Sequence, residues 1–228
     1  MANEEDCIII GGGPAGLTAA IYLARFHLSV RLFDCGSSRA AMIPCTRNHA
    51  GYPEGIKGTE LLALMLRQAE HYGVRREQAQ VTSLARDGEN FAVHVGERRF
   101  GARTVLLATG VVNHRPRSLA DDVHDAALAR GLLRYCPICD GYEVTDTRVG
   151  VIGTGDHGMR EALFLRGYTR DVTLIAPDAE HGLDDACAAK LHAAGIARVD
   201  GPCGGFAIED GRLALDTAGG RMAFDSVY

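Results

Sequence analysis

A gapless internal repeat constrains this chain more than any other feature of its sequence. The stretch Cys7-Ile-Ile-Ile-Gly11-Gly-Gly13-Pro14-Ala15-Gly16-Leu-Thr-Ala-Ala-Ile-Tyr-Leu is echoed by Val149-Gly-Val-Ile-Gly153-Thr-Gly155-Asp156-His157-Gly158-Met-Arg-Glu-Ala-Leu-Phe-Leu. An offset of 142 positions sets Gly11 on Gly153, Gly13 on Gly155 and Gly16 on Gly158. The same offset sets Val30-Arg-Leu-Phe33 on Val172-Thr-Leu-Ile175. Each copy reads as a short apolar strand, a glycine turn, an amphipathic helix and a second strand, the opening of a dinucleotide-binding βαβ unit. The first glycine permits the tight turn, the second lets the backbone approach a pyrophosphate, and the third lets helix and strand pack closely. The helix start then offers free N–H groups to the phosphates.

Two copies predict an α/β fold of two Rossmann-like, FAD/NAD(P)-binding-type domains. The expected bounds are 1–112 and 113–228, with the boundary near Val112 to Pro116. Between the glycine motifs, Gly58 to His71 has apolar residues at helical spacing. Val105 to Gly110 reads as a buried strand ending in a turn, and Asn90 to Val95 alternates like a strand. From Phe206 to Tyr228, three short strand candidates are separated by Glu-Asp-Gly and Ala-Gly-Gly turns.

The two copies are not equivalent. An acidic residue at the end of the second strand usually holds an adenosine ribose. In copy one this is Asp34, about 20 residues past the glycines, where the fingerprint asks for it. The bland reading of Asp34 is a turn starter before Cys35-Gly36-Ser37. The matching position in copy two is Ala176, followed by Pro177 and Asp178. No Arg is at hand there for a 2′-phosphate. NADH, NADPH or neither therefore stays open for the second site. In its turn, Asp156 and His157 are candidate nucleotide contacts beside Gly153, Gly155 and Gly158, and a solvent-facing helix start is the alternative for His157.

Of 228 residues, 24 are Lys or Arg and 29 are Asp or Glu, a formal net charge of -5, with no basic block. Nucleic acid is therefore not expected as a partner. The acidic N-terminus lacks the pattern of a secretory signal, and no apolar run is long enough to span a membrane. A cytoplasmic location without membrane attachment is the expectation. Of seven cysteines, Cys7 reads as core, and Cys35, Cys45, Cys187 and Cys203 lack a close partner in sequence. No Cys/His cluster has zinc-like spacing, so no metal is expected. Only Cys136-Pro-Ile-Cys139 is a motif. Two cysteines at this spacing can close a small disulfide ring, and a helix opening there lowers the pKa of the first thiol. Thiolate attack then proceeds through a mixed disulfide. Asp140 is placed to shuttle protons, or to serve as a cap or turn residue.

In order, these motifs resemble the low-molecular-weight thioredoxin reductases and their relatives. Gly11 to Gly16, including Pro14 and Ala15, matches the family's FAD fingerprint. Asn48-His-Ala-Gly51-Tyr-Pro53 is similar to its Asn-containing loop beside the flavin. Leu107-Ala108-Thr109-Gly110 resembles its second FAD motif, and Tyr135-Cys-Pro-Ile-Cys-Asp-Gly141 precedes the second glycine turn as in the family. The resemblance implies FAD in the first domain and NAD(P)H in the second. It implies that Cys139 faces the flavin, that Cys136 attacks the substrate disulfide and that Asp140 is the acid–base partner. The implied partner is a thioredoxin-like protein or a small disulfide or dithiol, and the implied assembly a homodimer whose domains rotate against each other.

Three departures mark this chain. Ala176-Pro177-Asp178 stands where the family has a His-Arg-Arg run. The run from Cys136 to Glu143 also resembles dithiol oxidases, which close a small-molecule dithiol with oxygen as acceptor. The family's late Gly-Asp segment has no match, so the flavin domain is expected to lack its C-terminal part. A redox-inactive sensor or binding module on the same fold is a further alternative, against which the presence of both cysteines argues.

Overall fold

A computed structural model describes residues 4–228. The chain forms two compact units. One contains residues up to Cys45 together with Ile56–Val112, and the other contains Thr46–Gly55 together with Asn113–Tyr228.

The first unit runs β1 (Glu5–Ile10), α1 (Pro14–Arg25), β2 (Val30–Asp34), α2 (Gly58–His71), β3 (Arg75–Gln78), β4 (Ser83–Asp87), β5 (Asn90–Val95) and β6 (Arg98–Leu107). Its six-stranded sheet has the order β3-β2-β1-β6-β5-β4. β3, β2, β1 and β6 are parallel neighbours, whereas β6, β5 and β4 pair antiparallel. The continuous apolar run of β1 follows from burial on both faces. Cys7 and Ile9 pack with Leu17, Ala20, Ile21 and Leu32, while Ile8 packs with Phe33, Val93 and Ala102. The helical spacing of α2 likewise has a cause, because Leu61, Leu62, Met65, Leu66 and Ala69 turn one stripe inward.

One expectation is corrected. The stretch after Val105 is not a buried strand: β6 ends at Leu107, which is 62% exposed. Its pairing with β5 reaches only Ala102, so the last residues of β6 have β1 on one side and no strand on the other.

The second unit contains α3 (Asp121–Ala129), α4 (Pro137–Asp140), β7 (Val149–Ile152), α5 (Gly155–Leu165), β8 (Val172–Ile175), α6 (Asp185–Ala193) and β9 (Ala197–Val199). It closes with β10 (Gly204–Glu209), β11 (Arg212–Thr217), β12 (Gly220–Phe224) and β13 (Ser226–Val227). The parallel sheet β13-β7-β8-β9 repeats the order β6-β1-β2-β3 of the first unit. β10, β11 and β12 form a separate antiparallel sheet. The sequence repeat is also a repeat of strand register. Cys7 lies opposite Val30 and Ile10 opposite Phe33, as Val149 lies opposite Val172 and Ile152 opposite Ile175. The first-turn amides repeat as well: Gly11 N donates to Phe33 O at 2.8 Å, and Gly153 N to Ile175 O at 2.9 Å.

Candidate active site

The first glycine turn connects β1 to α1. Gly11 has φ +114°, and a Cβ there would run into the Ala108 carbonyl. Ala108 N donates to Ile10 O at 2.8 Å, so the chain after β6 lies against this turn, with Thr109 and Gly110 following, Gly110 at φ +69°. A Cβ at Gly16 would strike the Gly11 carbonyl, which ties the helix start to the strand end. Gly12 is buried, and a Cβ there would meet the Asp34 carboxyl group. Gly13 caps α1 without a side-chain hydrogen bond, and Pro14 and Ala15 begin its first turn. A cavity of about 180 Å³ opens beside it, lined among others by Gly12, Asp34, Gly36, Ser38, Leu66 and Arg76. Asp34 Oδ1 accepts from Gly36 N at 3.0 Å, and Oδ2 lies 3.4 Å from Arg76 Nη2. The carboxylate thus starts the following turn and also lines the cavity.

The second turn, from β7 to α5, shares the glycine geometry. A Cβ at Gly158 would press on Gly153, and Gly155 has φ +61°. The surroundings differ. Ala176 is buried at the end of β8, and the chain beyond it is held down by backbone bonds: Ala176 N to Val199 O, Gly201 N to Ala179 O and Cys203 N to Pro177 O. His181 is only 6% exposed. Its amide donates to Asp200 Oδ1 at 3.1 Å, its Nε2 lies 3.1 Å from Leu174 O, and its Nδ1 is buried with no hydrogen-bond partner. The Thr154 hydroxyl, inside the glycine turn, donates to the His181 carbonyl. Asp156 pairs with Arg160 at 2.5 Å and His157 with Glu161 at 3.6 Å, both one turn along α5.

Cys136 and Cys139 form a disulfide across α4, with Cα atoms 5.2 Å apart. The proline follows Cys136 at the first helical position. Cys139 and Ile138 are exposed, Ile138 at 80%, whereas Pro137 is buried. Asn48 Nδ2 donates to the Cys139 carbonyl at 2.9 Å. Asp140 engages both carboxyl oxygens: Arg134 Nη1 donates to Oδ2 at 2.9 Å, and the Tyr228 hydroxyl donates to Oδ1 at 2.9 Å. Burial, then the charge of Asp140, pushes the Tyr228 hydroxyl far above the usual phenol range. On the other side of the motif, the Tyr135 hydroxyl lies 2.9 Å from Nε2 of the buried His124. Among the described residues, no group of His, Cys, Asp and Glu is placed to hold a metal ion. None of the described helices is long and apolar enough to cross a membrane.

The family model for pyridine nucleotide-disulphide oxidoreductases matches residues 5–199. The chain belongs to that family. A thioredoxin reductase from Mycolicibacterium smegmatis is 37% identical over 189 residues, covering 82% of this chain and 58% of that protein. One from Streptomyces coelicolor is 35% identical over 179 residues, 77% of this chain and 54% of that protein. The chain therefore spans about half the length of the curated relatives it matches. Among solved structures, thioredoxin reductase from Streptococcus pyogenes superposes with a TM-score of 0.87 at 25% identity, over all of this chain and 76% of that one. HlmI superposes with a TM-score of 0.85 at 30% identity, over all of this chain and 72% of that one.

Within this family member, sequence reasoning had no signal for four of the side chains that shape the sites. Arg134 and Tyr228 reach Asp140 from six residues upstream and from the end of β13. Thr154 and His181 meet across 27 positions. Only the odd placement of Thr154 between two glycines of a turn could have drawn attention to it.

Proposed function

We propose that the chain is part of an FAD-dependent disulfide oxidoreductase of the thioredoxin reductase type. Electrons from NAD(P)H reduce the Cys136–Cys139 disulfide, and the resulting dithiol reduces a thioredoxin-like protein or a small disulfide. The observation that carries this reading is the Cys136–Cys139 disulfide on an exposed turn, immediately before the second glycine unit and next to a held carboxylate. FAD, when bound, supplies the two-electron acceptor between nicotinamide and disulfide.

The first unit, residues 1–112 in the sequence reading, would hold FAD. Its residues fit the adenosine and pyrophosphate end. Gly12 leaves room that any Cβ would fill, α1 starts without a side-chain cap, and Asp34 lines the cavity where a ribose hydroxyl can donate to it. Gly11, Gly13, Pro14, Ala15 and Gly16 would shape that cradle, and Ala108, whose carbonyl lies against Gly11, would border it together with Thr109 and Gly110. The second unit, 113–228, would bind the nicotinamide nucleotide through Gly153, Gly155 and Gly158, with Asp156 and His157 at the rim. Asn48, read as part of the loop beside the flavin, also donates its amide to the Cys139 carbonyl of the redox turn. Cys136 attacks the outside disulfide, Cys139 resolves the mixed disulfide, and Asp140 carries the proton. A homodimer and a cytoplasmic location belong to the same reading.

The test is anaerobic mixing of the full-length, flavin-loaded protein with NADH and with NADPH, followed by a disulfide substrate. Loss of flavin absorbance with either nucleotide, and substrate thiols that disappear in Cys136→Ser and Cys139→Ser, are expected. A flavin that ignores both nucleotides yet bleaches with a dithiol and recovers in air overturns the reductase reading in favour of the oxidase.

A further inference from the structure

We propose that Arg134 and Tyr228 are positioning residues that clamp the Asp140 carboxylate and thereby enable it to carry the proton in thiol–disulfide exchange at Cys136 and Cys139. The inference rests on the redox reading above and adds to it two residues that no motif contains.

The clamp is built from both sides. Arg134 lies two residues before Cys136, and its own amide donates to Val227 O at 2.8 Å. Its Nε donates to Ser226 Oγ at 3.2 Å, and that hydroxyl donates onward to Gly131 O at 2.8 Å. The guanidinium is therefore fixed on β13 before it reaches Asp140 Oδ2 at 2.9 Å. Tyr228, 8% exposed, follows β13 and donates to Asp140 Oδ1 at 2.9 Å and to the Asp140 carbonyl at 3.2 Å. A planar guanidinium and a phenol on separate oxygens leave the carboxylate little freedom to turn. The same phenol holds the backbone of the residue next to Cys139. The charged groups that act on the Tyr228 hydroxyl are Asp140, Arg134 ahead of α4, and Glu143 in the 3₁₀ turn Gly141–Val144.

The chemistry needs such a group. The Cys136 thiolate attacks one sulfur of R–S–S–R, a Cys136–S–S–R bond forms, and R–S⁻ leaves and takes a proton. The Cys139 thiolate then attacks Cys136 Sγ, the Cys136–Cys139 bond closes, and the second R–S⁻ leaves and takes a proton. The dithiol loses two electrons and the outside disulfide gains two. The two thiol protons end on the two released thiols, with Asp140 as their carrier.

A leaving thiol of ordinary basicity needs that proton, whereas a strongly acidic one leaves as the anion. This separates the clamp from a merely structural ion pair. The dithiothreitol-reduced full-length protein, freed of reductant, is mixed with bis(2-hydroxyethyl) disulfide or with 5,5′-dithiobis(2-nitrobenzoate), and disulfide closure is followed by quenched alkylation. Arg134→Met is expected to slow the first reaction about tenfold and the second less than about twofold, a fraction of the roughly 10²–10⁴-fold that a general acid–base group itself contributes. Tyr228→Phe, which deletes one hydroxyl and keeps the ring, is expected to slow the first about threefold with the second unchanged. Arg134→Lys restores part of the rate, and Asp140→Asn sets the lower bound. Equal slowing with both disulfides, or wild-type rates in both Arg134→Met and Tyr228→Phe, overturns the clamp alone. A wild-type dithiol that exchanges with neither disulfide overturns the redox reading and the clamp with it.

Discussion

The two glycine turns begin in the same register and end in different surroundings. At the first, Gly12 leaves space in front of Asp34, the chain bends away through Gly36, and a cavity of about 180 Å³ remains. At the second, the position equivalent to Gly12 is Thr154, and its hydroxyl is occupied by the carbonyl of His181. The chain after β8 is sewn to β9 and its exit by the amides of Ala176, Gly201 and Cys203. Glycine spacing therefore fixes the strand-to-helix turn, but the residues after the second strand decide how open its mouth is. The family fingerprint alone does not distinguish the two cases.

Putting the second turn's residue into the first has the largest expected effect. Gly12→Thr places a side chain against the Asp34 carboxyl, and flavin affinity is expected to fall by about a hundredfold, roughly 2.7 kcal/mol. The flavin-to-protein absorbance ratio of the purified variant reads this directly, and a full complement of flavin would contradict it. The next effect is Asp34→Asn, which keeps the turn but removes the carboxylate charge from the cavity wall. Flavin affinity is expected to drop about tenfold, about 1.4 kcal/mol, measured by fluorescence titration of the apoprotein. Third, Thr154→Gly removes the bond to the His181 carbonyl. Nucleotide that has to break one hydrogen bond of net worth about 0.5–1.5 kcal/mol should then bind about two- to tenfold more tightly. Calorimetric titration with NADH and NADPH tests it, and unchanged or weaker binding shows that the bridge does not compete with the ligand.

The smallest effect concerns Cys35, exposed between the two cavity-lining residues Asp34 and Gly36. The side-chain hydrogen bond from Ser37 lowers its thiol below the usual range. A lowered thiol pKa means more thiolate at a given pH, so alkylation of Cys35 should reach half its maximal rate at a lower pH than an ordinary thiol. Ser37→Ala should move that midpoint upward, and added FAD should slow the labelling. Peptide mapping after iodoacetamide treatment at stepped pH reads both.

Much of this architecture could be read in the sequence because repeats and periodicity are local signals. The 142-residue offset reappears as strand register, and the helical stripe of Gly58 to His71 as α2. The spacing of Cys136 and Cys139 allowed a small disulfide ring that the family resemblance implied, and the three strand candidates after Phe206 emerge as β10 to β12 with β13 behind them. What escaped were features set by distant contacts. Leu106 and Leu107 look like core in sequence, but β5 does not extend far enough to flank them. Asn48 also donates to the Cys139 carbonyl, a contact 91 positions away in the chain that no motif signals. Arg134 and Tyr228 carry no motif, because their partnership is created when β13 pairs beside β7.

The central claim is that nucleotide electrons reach the Cys136–Cys139 disulfide. Its most direct test is anaerobic incubation of the flavin-loaded full-length protein with a slight excess of NADH or NADPH, acid quench, alkylation, and mass measurement of the peptide that contains both cysteines. The account predicts two alkyl groups on that peptide with at least one nucleotide and none without. An unlabelled peptide in the presence of both nucleotides, from protein whose cysteines are readily alkylated after dithiothreitol, would contradict it.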